Sequence, residues 1–126
     1  MQGKVVETRP LPRVEVGRES EDMCLLARFF SGFANSTRLS ILLLLARQGE
    51  TKVGDLVREL RAPQPRVSDH LRCLAWCGCV EVRREGRNAF YSIADKRVLE
   101  MLRLGEAMLR DNFGHVEACE VLEKGC

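Results

Sequence analysis

Apolar residues recur at helical spacing through much of the chain. Val67, Leu71 and Leu74 stand at i, i+4 and i+7, which gives a helix starting at Gln64 a single apolar face. Pro65 falls in its first turn, where a missing N–H is harmless, and Gly78 stops it. Gln64, Ser68, Asp69 and Arg72 fall on the other side, and all carry hydrogen-bonding side chains. Cys73 and Cys77 lie about 40° apart on a flank between the two faces. A polar face and a thiol cluster thus share one element. That combination suggests a DNA-reading helix coupled to a soft-metal or redox site.

The same periodicity predicts three helices before it. Ser20 can cap the first, with Glu21 and Asp22 favourable in its first turn. It continues through Cys24, Leu25, Leu26, Phe29 and Phe30 to about Phe33, and so large an apolar face wants a partner, such as a second subunit. Asn35 or Ser36 caps the second, which runs to about Arg47 with Leu39, Leu42, Leu43 and Ala46. Thr51 is expected to cap the third, through Val53, Leu56, Val57 and Leu60. A tight turn at Ala62–Pro63 leads into the Gln64 helix, so the spacing gives a helix-turn-helix. Val80 to Arg84 then alternates, and Asn88 to Ile93 is a second β-prone run. Arg84-Glu85-Gly86-Arg87 forms a hairpin turn with basic flanks. The fold expected is mostly α with a small β-hairpin, a winged helix-turn-helix of order α-α-α-α-β-β-α. Asp95 caps a last amphipathic helix of about 18 residues with Val98, Leu99, Leu102, Met108 and Leu109. Residues 1–19 read as a flexible N-terminal arm, 20–113 as the DNA-binding and dimerisation domain, and 114–126 as a tail.

Composition narrows the function. The 126 residues suffice for one modest core, and the net charge of +2 leaves nucleic-acid binding to local patches. The longest apolar run, Ile41 to Ala46, is far short of the ~20 residues of a membrane span. The N-terminus lacks an apolar signal region, so a cytoplasmic location is expected. Six cysteines in such a chain point away from a disulfide framework. Three of them crowd into Cys73, Cys77 and Cys79, and thiolates are soft ligands. The alternative is that each cysteine is a small buried hydrophobe.

Three stretches in order resemble the ArsR/SmtB family of metal-responsive winged-helix repressors. Asn35-Ser36-Thr37-Arg38-Leu39-Ser40-Ile41-Leu42 is similar to that family's D-P-T-R-x-x-I-L. Gln64-Pro65-Arg66-Val67-Ser68-Asp69-His70-Leu71 is similar to its Q-x-x-V-S-x-H-L. Arg84-Glu85-Gly86-Arg87 with Tyr91-Ser92 is similar to its R-E-G-R…Y-S wing. The resemblance spans about Leu25 to Leu109. It implies a homodimer built on the first and last helices, bound to double-stranded operator DNA and released by an inducer. The Cys-x-Cys that some members carry before the reading helix is absent from Val53-Gly54-Asp55-Leu56-Val57. His115 is the lone histidine near the last helix, which speaks against a zinc site there. The spacing of Cys73 and Cys77, with Cys119 in the tail, is similar to the actinobacterial cadmium/lead-sensing branch. Cys79 stands where the family's A-G-L-V has an inward-facing leucine, which points to a mercury-sensing relative.

The expected inducer is a thiophilic ion, Hg(II) or Cd(II)/Pb(II), in a buried site around Cys79 and Cys24 completed by Cys73, Cys77 or Cys119. No organic cofactor and no membrane partner are expected. The DNA-facing set is Gln64, Arg66, Ser68, Asp69 and Arg72 on the reading helix, with Arg83, Arg84 and Arg87 on the wing. Asp69 would repel phosphate, so it should meet a base amino group or an arginine. His70 reads as a structural histidine, Trp76 as packing surface and Cys126 as a bystander. A redox sensor that forms a disulfide among these cysteines is the alternative. An enzyme is disfavoured, because Cys-x-x-x-Cys is not the redox Cys-x-x-Cys and no acid–base constellation or nucleotide-binding glycine loop is present.

Overall fold

The computed structural model describes residues 14–122. Its elements are α1 (Glu21–Ser31), α2 (Ser36–Gln48), β1 (Thr51–Lys52), α3 (Val53–Leu60), α4 (Gln64–Trp76), β2 (Val80–Glu85), β3 (Asn88–Ile93), α5 (Arg97–Asp111) and α6 (Phe113–Ala118). Side-chain caps start the first two helices. The Met23 N–H donates to Ser20 Oγ at 3.1 Å and the Arg38 N–H to Asn35 Oδ1 at 3.0 Å.

Thr51 departs from the expectation that it caps a helix. Its hydroxyl donates to the Gly49 carbonyl at 2.9 Å, and its backbone pairs with Tyr91 in a short antiparallel strand. Gly49, at φ 77, turns the chain out of α2, and the buried, β-branched Thr51 fits the sheet edge better than a helix start. α3 therefore begins at Val53 without a side-chain cap. The sheet order is β1-β3-β2. Glu85 faces Asn88 across the wing's two-residue turn, where Gly86 takes φ 60. Between α3 and α4 the chain turns at Arg61, the one non-glycine residue of positive φ among the described residues.

The core gathers Ile41, Leu42, Leu45, Leu56, Val67, Leu71, Leu74, Val80 and Val98. Cys79 joins it at 2 % exposure, so the inward slot read for this thiol is where the structure places it. Neither α1 nor α6 buries a residue. Leu25 and Phe30 on α1, Leu104, Met108 and Leu109 on α5, and Phe113 on α6 remain exposed. An apolar cavity of about 390 Å³, lined by Phe33, Leu39, Leu43, Met101, Leu102 and Leu109, opens between α2 and α5. No single described helix is long and apolar enough to cross a membrane. α5 ends three residues earlier than a helix of about 18 residues would, and α6 gives part of the tail regular structure. Most of the arm, residues 1–13, lies outside the described residues, as does Cys126. The described part of the arm is tied to α1, with the Glu15 N–H donating to Asp22 at 2.9 Å.

Candidate nucleic-acid interface and thiol cluster

The buried stripe Val67, Leu71 and Leu74 anchors α4 on the core. The opposite face therefore points outward. Gln64, Arg66, Asp69 and Arg72 are exposed and Ser68 is half-buried. Arg72 Nη1 donates to Asp69 Oδ1 at 3.1 Å, which supplies the arginine partner expected for that carboxylate. On the wing, Arg84 and Arg87 are exposed.

Arg83 behaves differently from the other wing arginines. Its Nε and Nη2 donate to the Glu50 carboxylate at 2.9–3.3 Å and its Nη1 to Glu85 at 3.1 Å. Its guanidinium also lies 4.6 Å above the Phe90 ring. The Arg83 hydrogen bond holds the Glu50 carboxyl below its ordinary range. This geometry braces the wing against the end of α2 and leaves Arg84 and Arg87 as the outward cations of the hairpin.

A second arginine, which sequence spacing did not single out, joins three helices. Arg38 Nε donates to the Gly32 carbonyl at 2.7 Å and Nη2 to the Ser31 carbonyl at 3.0 Å. Those are carbonyls that the end of α1 leaves without a helical partner. Arg38 Nη1 lies 3.1 Å from His70 Nδ1 on α4. Guanidinium only donates, so Nδ1 accepts and the ring proton resides on Nε2. Burial, then the Arg38 and Arg66 charges, push the His70 pKa down, against a smaller opposing pull from Asp69. His70 is thus held neutral, in keeping with a structural role.

The thiols gather at the other end of α4. Cys73 and Cys77 are free and half-buried, and their side chains are within hydrogen-bonding reach of each other. Burial, then the neighbouring Cys73, push the Cys77 thiol up, and Arg38 and Arg28 act against them. The pair borders an open groove of about 540 Å³ between α1 and α4, with Phe29, Asp69, Arg72 and Trp76 among its walls. On the far side of Cys77 lies a second cavity of about 500 Å³, which Cys79, Asp95, Val98 and Met101 line. Phe29 and Cys77 border both spaces. Cys24 is exposed on α1, one turn before Arg28. Cys119 closes α6. Neither borders the two cavities, and among the described residues no three His, Cys, Asp or Glu side chains gather into a metal site. The structure thus brings Cys73 to Cys77, sets Cys79 behind them, and leaves Cys24 and Cys119 apart. Adjacent thiols suit a soft ion.

Known proteins share the sequence pattern and the fold. The family profile described as "Bacterial regulatory protein, arsR family" matches residues 35–82. The chain is 40% identical over 93 residues to the "Probable mercury resistance operon repressor" of Streptomyces lividans, covering 74% of each chain. It is 30% identical over 77 residues to a "Cadmium resistance transcriptional regulatory protein CadC homolog" of Staphylococcus aureus, covering 61% of this chain and 64% of that one. Among solved structures, the AntR antimony-specific transcriptional repressor superposes with a TM-score of 0.65 at 30% identity, covering 87% of this chain and 99% of that one. A homodimeric winged helix-turn-helix DNA-binding domain from Mycobacterium bovis gives 0.62 at 34% identity, covering 78% and 92%.

Proposed function

The chain belongs to the arsR family of bacterial regulatory proteins, and from that membership and its thiol cluster we propose a metal-responsive transcriptional repressor. It binds double-stranded operator DNA as a homodimer and leaves it when a thiophilic ion binds cysteine thiolates. α4 enters the major groove, where Gln64, Arg66, Ser68 and Arg72 meet base edges and phosphates, and Asp69 steadies Arg72. Arg84 and Arg87 reach the phosphates beside it, and Arg83 sets the angle of the wing.

The observation that carries the metal reading is that Cys73 and Cys77, one helical turn apart, line the same groove, which Asp69 and Arg72 also line. We assign Hg(II) as the inducer. A two-coordinate ion needs only one well-placed pair of sulfurs, and the relative from Streptomyces lividans carries mercury resistance in its name. Cd(II) and Pb(II) take three or four donors, so they would require Cys24, Cys79 or Cys119 to close on the pair. A Cys24–Cys79 site is the other arrangement for mercury, and it requires α1 to move, because Cys24 stands outside the cavity that Cys79 lines.

The test is a metal panel. An operator is selected from random duplex DNA, and its complex with the full chain is titrated with Hg(II), Cd(II), Pb(II) and Zn(II) by fluorescence anisotropy. Trp76, the only tryptophan and 83 % exposed in the same groove, reports binding by heavy-atom quenching. Cys73→Ser and Cys77→Ser should hold the operator and fail to release on Hg(II), while Cys126→Ser behaves as wild type. Failure of Cys24→Ser and Cys79→Ser alone would move the site to that pair. Release by none of the ions would sink the metal reading. The Cys73–Cys77 contact also favours a second reading, a disulfide switch, which predicts release by peroxide without metal and recovery with dithiothreitol.

A further inference from the structure

The guanidinium of Arg38 ties the end of α1, beside the Cys77 thiol, to the DNA-reading helix α4. Three of its nitrogens donate in fixed, coplanar directions. Two reach the last carbonyls of α1, at Ser31 and Gly32, and the third reaches His70 in the middle of α4. Gly32 is buried, and a Cβ built on it would lie 3.7 Å from Cys77 Sγ and 3.1 Å from the Phe29 carbonyl. The Cys77 thiol therefore lies beside the last peptide of α1, with room for about one methyl group between them.

We infer that Arg38 is a positioning residue that transmits thiol occupancy to α4, by holding the end of α1 and His70 in one hydrogen-bonded register. The inference rests on the proposed function and adds the route by which its metal site acts. An ion on Cys77, or one that draws Cys24 inward, displaces the α1 terminus to which Arg38 is bound. The guanidinium is rigid, so it keeps its bonds to α1 or its bond to His70 at good angles, and not both. Losing the His70 bond frees a ring that lies one turn from Arg66 on α4, a member of the DNA-facing set. No titration is needed, because the acceptor on His70 is the neutral ring nitrogen.

The experiment measures coupling, which a merely structural role would leave intact. Operator affinity is read with and without Hg(II), and Hg(II) affinity with and without operator, for wild type, His70→Leu and His70→Gln. Leucine fills the space without an acceptor, and the glutamine amide oxygen can accept from Arg38. Wild type should lose operator affinity by the usual allosteric factor of about 5–150-fold for each thiol site that Hg(II) fills, and operator should weaken Hg(II) binding at each site by the same factor. His70→Leu should bind Hg(II) as wild type does by Trp76 quenching, with its operator affinity changed about fivefold or less. His70→Gln should restore the wild-type factor. Arg38→Lys, whose single ammonium does not span three acceptors, should behave as His70→Leu does. Full release of His70→Leu, or failure of His70→Gln to recover, would overturn the relay. A wild-type protein that keeps its operator in Hg(II) would instead overturn the proposed function, and the two failures are told apart by the wild-type titration alone.

Discussion

Replacing Leu104 and Met108 together by glutamate should dissociate the dimer and, with it, abolish operator binding. These residues lie one turn apart on α5 and are 63 % and 64 % exposed. Full burial of such a side chain contributes roughly 1.5–3 kcal/mol. About two-thirds of that remains to be gained on association, or roughly 1–2 kcal/mol each. A two-fold axis buries each residue twice, so four side chains supply about 4–8 kcal/mol. At 1.4 kcal/mol per factor of ten, losing this raises the dimer Kd on the order of 10³ to 10⁶. Desolvating the new carboxylates adds to the loss. Both positions are surface positions of the protomer, so circular dichroism should show an intact fold. Sedimentation equilibrium should show a dimer for wild type and a monomer for the double variant at micromolar concentration. A dimeric double variant, or a monomeric wild type, would refute the assignment of this face.

Two further results are expected. Arg66→Ala and Arg72→Ala should each cost about 1–3 kcal/mol against the specific operator, whereas Arg87→Ala should weaken all duplexes and reduce the salt slope by about 1; titrations at several salt concentrations decide, and three unchanged slopes and affinities would mean that the wrong face was chosen. His70 should make stability rise with pH: its folded pKa lies below the unfolded value of 6.5, so its contribution is present above about pH 6.5 and lost as pH falls through the folded pKa, which comparing urea midpoints of wild type and His70→Gln across that window will test.

The sequence made the helical frame legible because its signals are local. Ser20 and Asn35 cap the helices they were read to cap, and the stripe of Val67, Leu71 and Leu74 is buried as its spacing predicts. Cys79 could be placed inward because the family resemblance puts an inward-facing leucine at its position, and it is 2 % exposed. What escaped depends on partners distant in sequence. Thr51 has the residue type of a helix cap, and only its pairing with Tyr91 makes it a strand. Arg83 looks like its neighbours on a basic wing, and Glu50, which holds it, lies 33 residues away. Arg38 sits in a recognised motif, yet its bond to His70 spans 32 residues and no periodicity encodes it. The adjacency of Cys73 and Cys77 was legible from their four-residue spacing. The packing of Cys77 on Gly32 was not, because it belongs to the way α1 crosses α4.

The dimer also sets how strongly each thiol site must act. Asp69 on α4 and Cys77 at its C-terminal cap are eight residues apart, about 12 Å along the helix, so the proposed metal input and DNA output share one element. Moving an operator from 99% occupied to 99% free requires about 5.5 kcal/mol of preference for the released state. Typical coupling between two sites is about 1–3 kcal/mol, too little for one site alone. A homodimer carries the thiol cluster twice, so each copy needs to supply only about 2.7 kcal/mol, which lies within that range. If the dimer forms through α1 and α5 as proposed, it joins two half-sites for repression and makes release attainable with ordinary coupling at each thiol pair. A heterodimer in which one protomer lacks Cys73 and Cys77 should accordingly show about half of the wild-type coupling free energy on Hg(II), and full release of such a heterodimer would show that one site suffices.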